Sequence, residues 1–396
     1  MPSANSGPRP LQHAVETDEL ARSSPNMTDA ASPKVDELHV ICIAKRWDHH
    51  TPSGGYDQLA HAVGAEVIMR RTNRGIRRRV AARIWRAFSH SKPYLVDYWY
   101  EDWLAERRVL RDSRNSRPDV VHVLYGDEQL DLLLRQRKEL PCPLIVTFHL
   151  PTSGVRERFE KTQKHLLSGI DLAVVVARNQ LEDFGNWLGA GRVIYVPHGI
   201  NTDQFCPGER PANRECVSLI TVGDHLRDWK AIDRIIGRCQ AMKLAVRFDI
   251  VARKHKLSNS ASYTNVHFHA GISEDELIRL YREADALLVP VTDATANNAA
   301  LEALGCGTPV ISTMVGGIPD YVDNTCGWLF EKGEVDRIVD LIGEICNQPE
   351  VASSRREAAR TKALGFSWQR VAKKMQTVYE SVAHHQGLEA VGATWE

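Results

Sequence analysis

Short, uniformly apolar runs recur along this chain, separated by segments in which apolar residues return every three or four positions. A first set comprises LHVICIA (38–44), AEVIM (65–69), DVVHVLY (119–125), PLIVTF (143–148), DLAVVVA (171–177) and RVIYVP (192–197). A second set comprises VSLITV (217–222), VRFDIVA (246–252), NVHFH (265–269), DALLVPV (285–291) and TPVIS (308–312). A strand that is apolar at every position has no solvent face, so these runs predict parallel sheets covered by helices on both sides. Among the helical segments one start is well marked. Ser273 followed by Glu276 predicts a capping box, and Leu277, Leu280, Tyr281 and Ala284 then share one face.

Gly and Pro crowd into HGINTDQFCPGERPANREC (198–216), between the two sets of strands. The fold class is therefore α/β, with two doubly wound, Rossmann-like domains at 35–198 and 199–366 and a hinge near 199–216. Ligands in such sheets bind beyond the carboxyl ends of the strands, which makes the cleft between the domains the expected site. Residues 1–34, rich in Ser, Pro, Asn and Ala, read as a disordered tail.

Composition narrows the class without choosing a function. The 396 residues are 43% hydrophobic and 25% charged, ordinary for a globular protein of two domains. A net charge of +0 gives no argument for nucleic acid as a partner. The eight cysteines (42, 142, 206, 216, 239, 306, 326 and 346) are scattered, without the close pairing of a zinc site. Several lie in apolar runs as small hydrophobes, so a reducing cytoplasm is expected. No run reaches the roughly 18 apolar residues that span a bilayer, and the N-terminus lacks the basic-then-apolar pattern of a signal peptide.

The chemistry concentrates in TDATANNAALEALGCGTPV (292–310), where a strand gives way to a helix near Asn298–Leu304. The first turn of a helix has unpaired N–H groups and a partial positive charge, which suit a phosphate. Ala294 and Ala296 let a ligand approach the backbone. Asn297 and Asn298 offer amide donors, and Asn298 is the candidate for both helix cap and ligand contact. Glu302, one turn inside, can accept hydrogen bonds from sugar hydroxyls. VGGIPD (315–320) is a second glycine loop at the same sheet end. An ordinary capped helix in an α/β protein would account for the same residues.

The surroundings favour the ligand. The ordered series RVIYVPHGINTDQFCP, LITVGDHLRDWKAI, ISEDELIRLYREADALLVP and NNAALEALGCGTPVISTMVGGIPDYV resembles the nucleotide-sugar half of family 4 glycosyltransferases, which have the GT-B fold. SGGYDQLA (53–60), RPDVVHVLYG (117–126) and VTFH (146–149) resemble its first half. FSWQRVAKKMQTVY (366–379) is similar to its closing helix, here 367–385, which crosses back to the first domain. The resemblance covers about residues 38–382 and implies retaining transfer of a sugar from a nucleotide diphosphate, with a UDP-sugar expected, to an acceptor hydroxyl. It implies no metal or other cofactor, which fits a chain with no Asp-x-Asp triplet.

Carried over position by position, the resemblance makes Glu302 the ribose-binding carboxylate, second of an E-x7-E pair. The first falls at Ala294, where the glutamate is absent, and Asp293 is the nearest candidate to stand in. Lys230 matches a lysine that neutralises the diphosphate. The family arginine after Gly223 is replaced by Asp224, and Arg227 is the best candidate to supply that charge. His149 matches a histidine near the donor sugar, and Gly54 and Gly55 match a glycine loop that approaches phosphate or acceptor, though a plain strand-to-helix turn also explains them. Arg253 and Lys254 flank the base or lie in a solvated loop. His198 reads as structural. In a front-face mechanism the leaving phosphate takes the acceptor's proton, so no side-chain base is named.

RRTNRGIRRRVAARIWRAFSHSK (70–92) carries nine basic residues and no acid, with Ile76, Val80, Ile84 and Phe88 four apart. The pattern fits a helix on the anionic inner face of a membrane, a core-packed helix with a solvated basic face, or a site for a phosphorylated acceptor. YLVDYWYEDWLAERRVL (94–110) either frames the acceptor mouth or packs on that helix. Two other classes of function fit the fold. One is a different enzyme of the same fold, a UDP-sugar epimerase or a phosphorylase. The other is a non-catalytic sugar-nucleotide-binding protein, to which the absent glutamate at 294 gives weight.

Overall fold

The computed structural model describes residues 38–46, 53–70, 98–160, 167–211, 215–253, 257–258 and 262–384, together with Val80 and Trp85. The expected tail at 1–34, most of the basic segment 70–92, Lys254 and residue 385 lie outside the described residues.

Among the described residues, two sheets of six parallel strands each organise the fold. The first holds β1 (Val40–Ala44), β2 (Glu66–Met69), β3 (Val120–Val123), β4 (Leu144–Phe148), β5 (Leu172–Val175) and β6 (Val193–Tyr195), in the order β2-β1-β3-β4-β5-β6. The second holds β7 (Val217–Val222), β8 (Val246–Val251), β9 (Val266–His269), β10 (Ala286–Val289), β11 (Val310–Thr313) and β12 (Gly327–Phe330), in the order β12-β11-β10-β7-β8-β9. Every residue of β1, β3, β4, β5, β10 and β11 is buried, as strands with helices on both faces must be. Edge strands β2 and β9 are partly exposed.

All eleven expected strands form. The twelfth, β12, escaped the hydrophobic pattern because it is a four-residue edge strand that starts on glycine and leaves Trp328 and Leu329 half-buried. The capping box forms by half. Ser273 accepts from the Glu276 amide at 3.2 Å, but the Glu276 carboxylate binds Arg279 at 2.6 and 2.9 Å instead of returning to the cap. Arg279 lies one turn on, and a charged partner holds a carboxylate more strongly than a single backbone N–H does.

Strand order places the ligand crevices. In the first sheet the chain reverses between β1 and β3, and in the second between β7 and β10. The loops after β1, β7 and β10 therefore open at switch points, where doubly wound sheets bind ligands. The helix Trp368–Ala383, last among the described residues, packs Val371, Met375, Val378 and Tyr379 onto the first sheet. Buried His122 in β3 fixes it there, with Nδ1 2.8 Å from the Tyr379 hydroxyl and Nε2 2.7 Å from Thr147 Oγ1.

Candidate active site

β7 ends at Val222, and Gly223 follows at φ +84°, a left-handed turn that suits glycine. The loop after it is pinned to the end of β10. The Asp228 amide donates to Pro290 O at 2.9 Å, and the Thr292 amide donates to Leu226 O at 2.9 Å. Arg227 lies inside this loop. Its Nε and Nη2 donate to Val222 O at 2.8 and 2.6 Å, and its Nη1 donates to His225 O at 3.2 Å. Burial lowers its guanidinium to about 10, opposed by Tyr281, Asp224 and Glu302, so it stays a cation near neutral pH. Asp224, where the resemblance expects an arginine, faces Arg253 at 3.6 Å. Lys230 stands exposed in the first turn of the helix Trp229–Ala241, whose N-cap Asp228 accepts from the Ala231 amide at 3.0 Å.

Across the switch point, the helix Asn298–Gly305 is capped by Asn297, not Asn298. Asn297 Oδ1 accepts from the Ala300 amide at 3.3 Å, and this places Asn297 among the buried residues. Asn298 is half-buried and faces the open space, so the two roles expected of it are divided between neighbours. Glu302 is 8% exposed and accepts from the Tyr281 hydroxyl at 2.9 Å. Burial pushes its carboxyl up to about 7; Tyr281 and Arg227 oppose the rise, and Glu274 adds to it. Among the described residues, no three or more His, Cys, Asp or Glu side chains are grouped as metal ligands would be.

The loop 293–296 differs from what a sugar-gripping carboxylate would need. Asp293 turns its Oδ1 back to the Ala294 amide at 2.8 Å. Ala294 is 6% exposed, and its carbonyl accepts from the Gly317 amide at 2.9 Å. A Cβ on Gly316 would sit 2.0 Å from that carbonyl, so this glycine is required by close approach as well as by its φ of +55°. The Thr295 hydroxyl donates to the backbone oxygen of His149. The segment thus bridges the two domains.

The first domain contributes the opposite wall. Gly55 has φ +102°, and the Gly54 carbonyl accepts from Arg46 Nη2 at 3.0 Å. His149, at the end of β4, donates its amide to Asp127 Oδ2 at 2.6 Å, and its Nε2 lies 2.8 Å from Leu124 O. A carbonyl only accepts, so Nε2 carries the proton and Nδ1 holds the lone pair when the ring is neutral. Tyr56 stands edge-on to this ring, with centroids 4.5 Å apart. His198 is buried, held by Tyr321 OH on its amide at 2.9 Å, and burial pushes its ring down to about 4, so it is neutral.

Gly54, Gly55, His198, Asn298, Glu302 and Trp368 line one narrow space between the sheets. The structure therefore gathers Glu302, Asn298, Gly54 and Gly55 directly, and Arg227 acts on Glu302 through its charge. His149, Gly223, Lys230, Arg253, Asp293 and Asn297 line none of it. His198, taken from sequence as structural, both packs between Tyr56 and Trp368 at 5.2 Å and forms part of the wall. The sequence puts Tyr281 only on the apolar face of its helix and gives Ser53, Glu274 and Trp368 no part, because their parts depend on contacts between segments distant in the chain.

In sequence and in fold the chain is similar to known glycosyltransferases. Residues 37–204 match the family described as Glycosyltransferase Family 4, and residues 217–348 match Glycosyl transferases group 1. The chain is 25% identical to the MMP alpha-(1->4)-mannosyltransferase of Mycolicibacterium hassiacum, over 70% of this chain and 74% of that one. It is 30% identical to the D-inositol 3-phosphate glycosyltransferase of Mycolicibacterium smegmatis, over 66% of this chain and 67% of that one. Among solved structures, sucrose-phosphate synthase from Thermosynechococcus elongatus superposes with a TM-score of 0.66 at 16% identity, covering 88% of this chain and 100% of that one. HepE from Anabaena, in complex with UDP and glucose, superposes with a TM-score of 0.60 at 12% identity, covering 87% and 100%.

Proposed function

The chain belongs to the family 4 glycosyltransferases and has their GT-B fold, and from that premise we propose that it transfers a sugar, with retention, from a UDP-sugar to an acceptor hydroxyl. One observation carries the donor reading. Glu302 is a buried carboxylate held by Tyr281, one turn inside a helix that starts at a switch point and opposite the glycine loop Gly54–Gly55. Two vicinal hydroxyls of a ribose match the acceptor capacity of such a carboxylate. HepE, solved with UDP and glucose, supports uridine as the base.

In this mechanism the bond from the anomeric carbon to the diphosphate oxygen breaks while the acceptor oxygen attacks from the same face. The acceptor's proton passes to the departing phosphate oxygen. Arg227 has two N–H groups beyond the three bonds it makes to backbone, among the described residues, and exposed Lys230 adds a second cation. Together with the N–H groups of the helix Asn298–Gly305 they meet the leaving charge without a metal. Asn297 orients that helix, Asn298 reaches the donor, and Gly223 lets backbone approach the diphosphate. Arg253 offsets Asp224 beside the base, and His149 stands on the sugar's side of the cleft. Closure about a hinge at 199–216 brings the domains 35–198 and 199–366 together.

A thermal-shift panel of UDP-, GDP- and ADP-sugars tests the reading. A UDP-sugar should raise the melting temperature, and Glu302→Ala should abolish the shift. An unchanged shift in that variant would remove Glu302 from the donor site. A second reading, a sugar-nucleotide-binding protein without turnover, is favoured by Ala294 alone. Donor binding without nucleotide release, across donor–acceptor pairs, would establish it. No helix among the described residues is long and apolar enough to cross a membrane. A cytoplasmic enzyme touching an anionic inner membrane face through 70–92 is part of the proposal, tested by sedimentation with phosphatidylserine vesicles at low and high salt.

A further inference from the structure

One hydrogen-bonded pair joins the two domains at the wall of the narrow space. The Ser53 amide donates to Glu274 Oε1 at 3.1 Å, and the Ser53 hydroxyl donates to Glu274 Oε2 at 3.1 Å. Ser53 immediately precedes the glycine loop. Glu274 is the first residue of the helix Glu274–Glu283, where unpaired N–H groups and the helix dipole favour a carboxylate. The same helix carries Tyr281, whose hydroxyl holds Glu302. The two elements that face the donor from opposite domains are thus tied through one rigid helix. On its own side the loop is fixed by Arg46, which donates to Gly54 O at 3.0 Å, and by the Tyr56 amide, which donates to Tyr125 OH at 2.9 Å.

We propose that Ser53 and Glu274 are positioning residues that set the glycine loop over the donor when the cleft is closed; this rests on the donor reading above. Neither side chain touches the donor in it. Their part is to fix the distance between Gly54–Gly55 and Glu302, because any parting of loop and helix must first break both bonds. Bonds to a carboxylate are the stronger kind, and a paired contact gives orientation as well as distance. A surface contact without this role would alter folding and leave nucleotide affinity alone.

The test is a double-mutant cycle read by calorimetric titration of UDP into the full chain, with Ser53→Ala, Glu274→Ala and the double variant. Glu274→Ala, which removes both bonds, should weaken UDP about tenfold, the share of a lost charge-assisted contact, and Ser53→Ala, which leaves the amide bond in place, should weaken it about threefold. The double variant should be no weaker than the weaker single one, because the two residues act as a pair. Ser53→Thr, which keeps the hydroxyl, should bind UDP as the parent does. Unchanged affinity in the single variants, a multiplied loss in the double variant, or tighter binding in any of them would overturn the proposal. Tighter binding would mark the pair as a lock on the empty cleft. A parent chain that binds no UDP would overturn the donor reading, and this proposal with it.

Discussion

Replacing Glu302 by glutamine separates what this residue does for the ligand from what it does to the fold. The substitution keeps shape and one acceptor oxygen and removes the charge. Burial pushes the carboxyl from the ordinary 4.5 up to about 7, so the native state resists ionising it. A raised native value makes stability fall as pH rises from about 4.5 to about 7; at 1.36 kcal/mol per pH unit the loss is about 3 kcal/mol. The Gln variant escapes that loss. It should melt with the parent at pH 4.5 and above it at pH 8. Donor binding should run the other way, because ribose hydroxyls donate to the ionised form. Near pH 6 about one-tenth of the native carboxyl is ionised, so the UDP dissociation constant should rise about tenfold between pH 8 and pH 6. A phosphate group also takes up a proton near pH 6, which affects parent and variant alike. The ratio of their dissociation constants isolates Glu302. Calorimetric titration at pH 6, 7 and 8 and thermal unfolding at pH 4.5 and 8 supply both measurements. A ratio independent of pH, or a variant no more stable than the parent at pH 8, would refute the reasoning.

Three further outcomes are expected. Lys230→Ala should lower nucleotide release about a hundredfold with little change in melting temperature, since the side chain is exposed; steady-state kinetics with the donor identified by the panel would measure it. Ala294→Glu should not restore a sugar contact but lower stability by about 1–3 kcal/mol, because the position is 6% exposed and crowded by the Gly316–Gly317 loop; denaturant titration reads the loss. Burial holds His122 down to about 3, so it stays neutral in the fold while the unfolded chain protonates below about 6.5. That linkage removes about 2 kcal/mol between neutral pH and pH 5, and His122→Gln should show a shallower acid limb in thermal unfolding.

How much of this was legible in the sequence depended on the range of the interaction involved. The interior strands were legible because covering both faces of a parallel sheet forces every position to be apolar, and the edge strands β2 and β9 were read from short apolar-rich runs despite their partial exposure. β12 was not, because its four residues begin on glycine and leave Trp328 and Leu329 half-exposed. The corner at 292–310 was legible as a strand-to-helix turn with a carboxylate one turn inside, yet the pattern put the cap on Asn298, one residue too late. The cap is set by backbone geometry, with Asn297 extended at φ −119° and its side chain returned to the Ala300 amide. The glutamate missing at 294 was visible as an absence, but its meaning is tertiary. Gly317 bonds to the backbone of Ala294 and fixes the segment within its own domain, while Thr295 bonds to the backbone of His149 and joins it to the other. In the proposed enzyme, recognition of the sugar must then come from other groups on the wall that Gly54, Gly55 and His198 share. Substitutions at His198 should change which donor sugar is preferred before they change affinity for the nucleotide, which Glu302 holds from the other side.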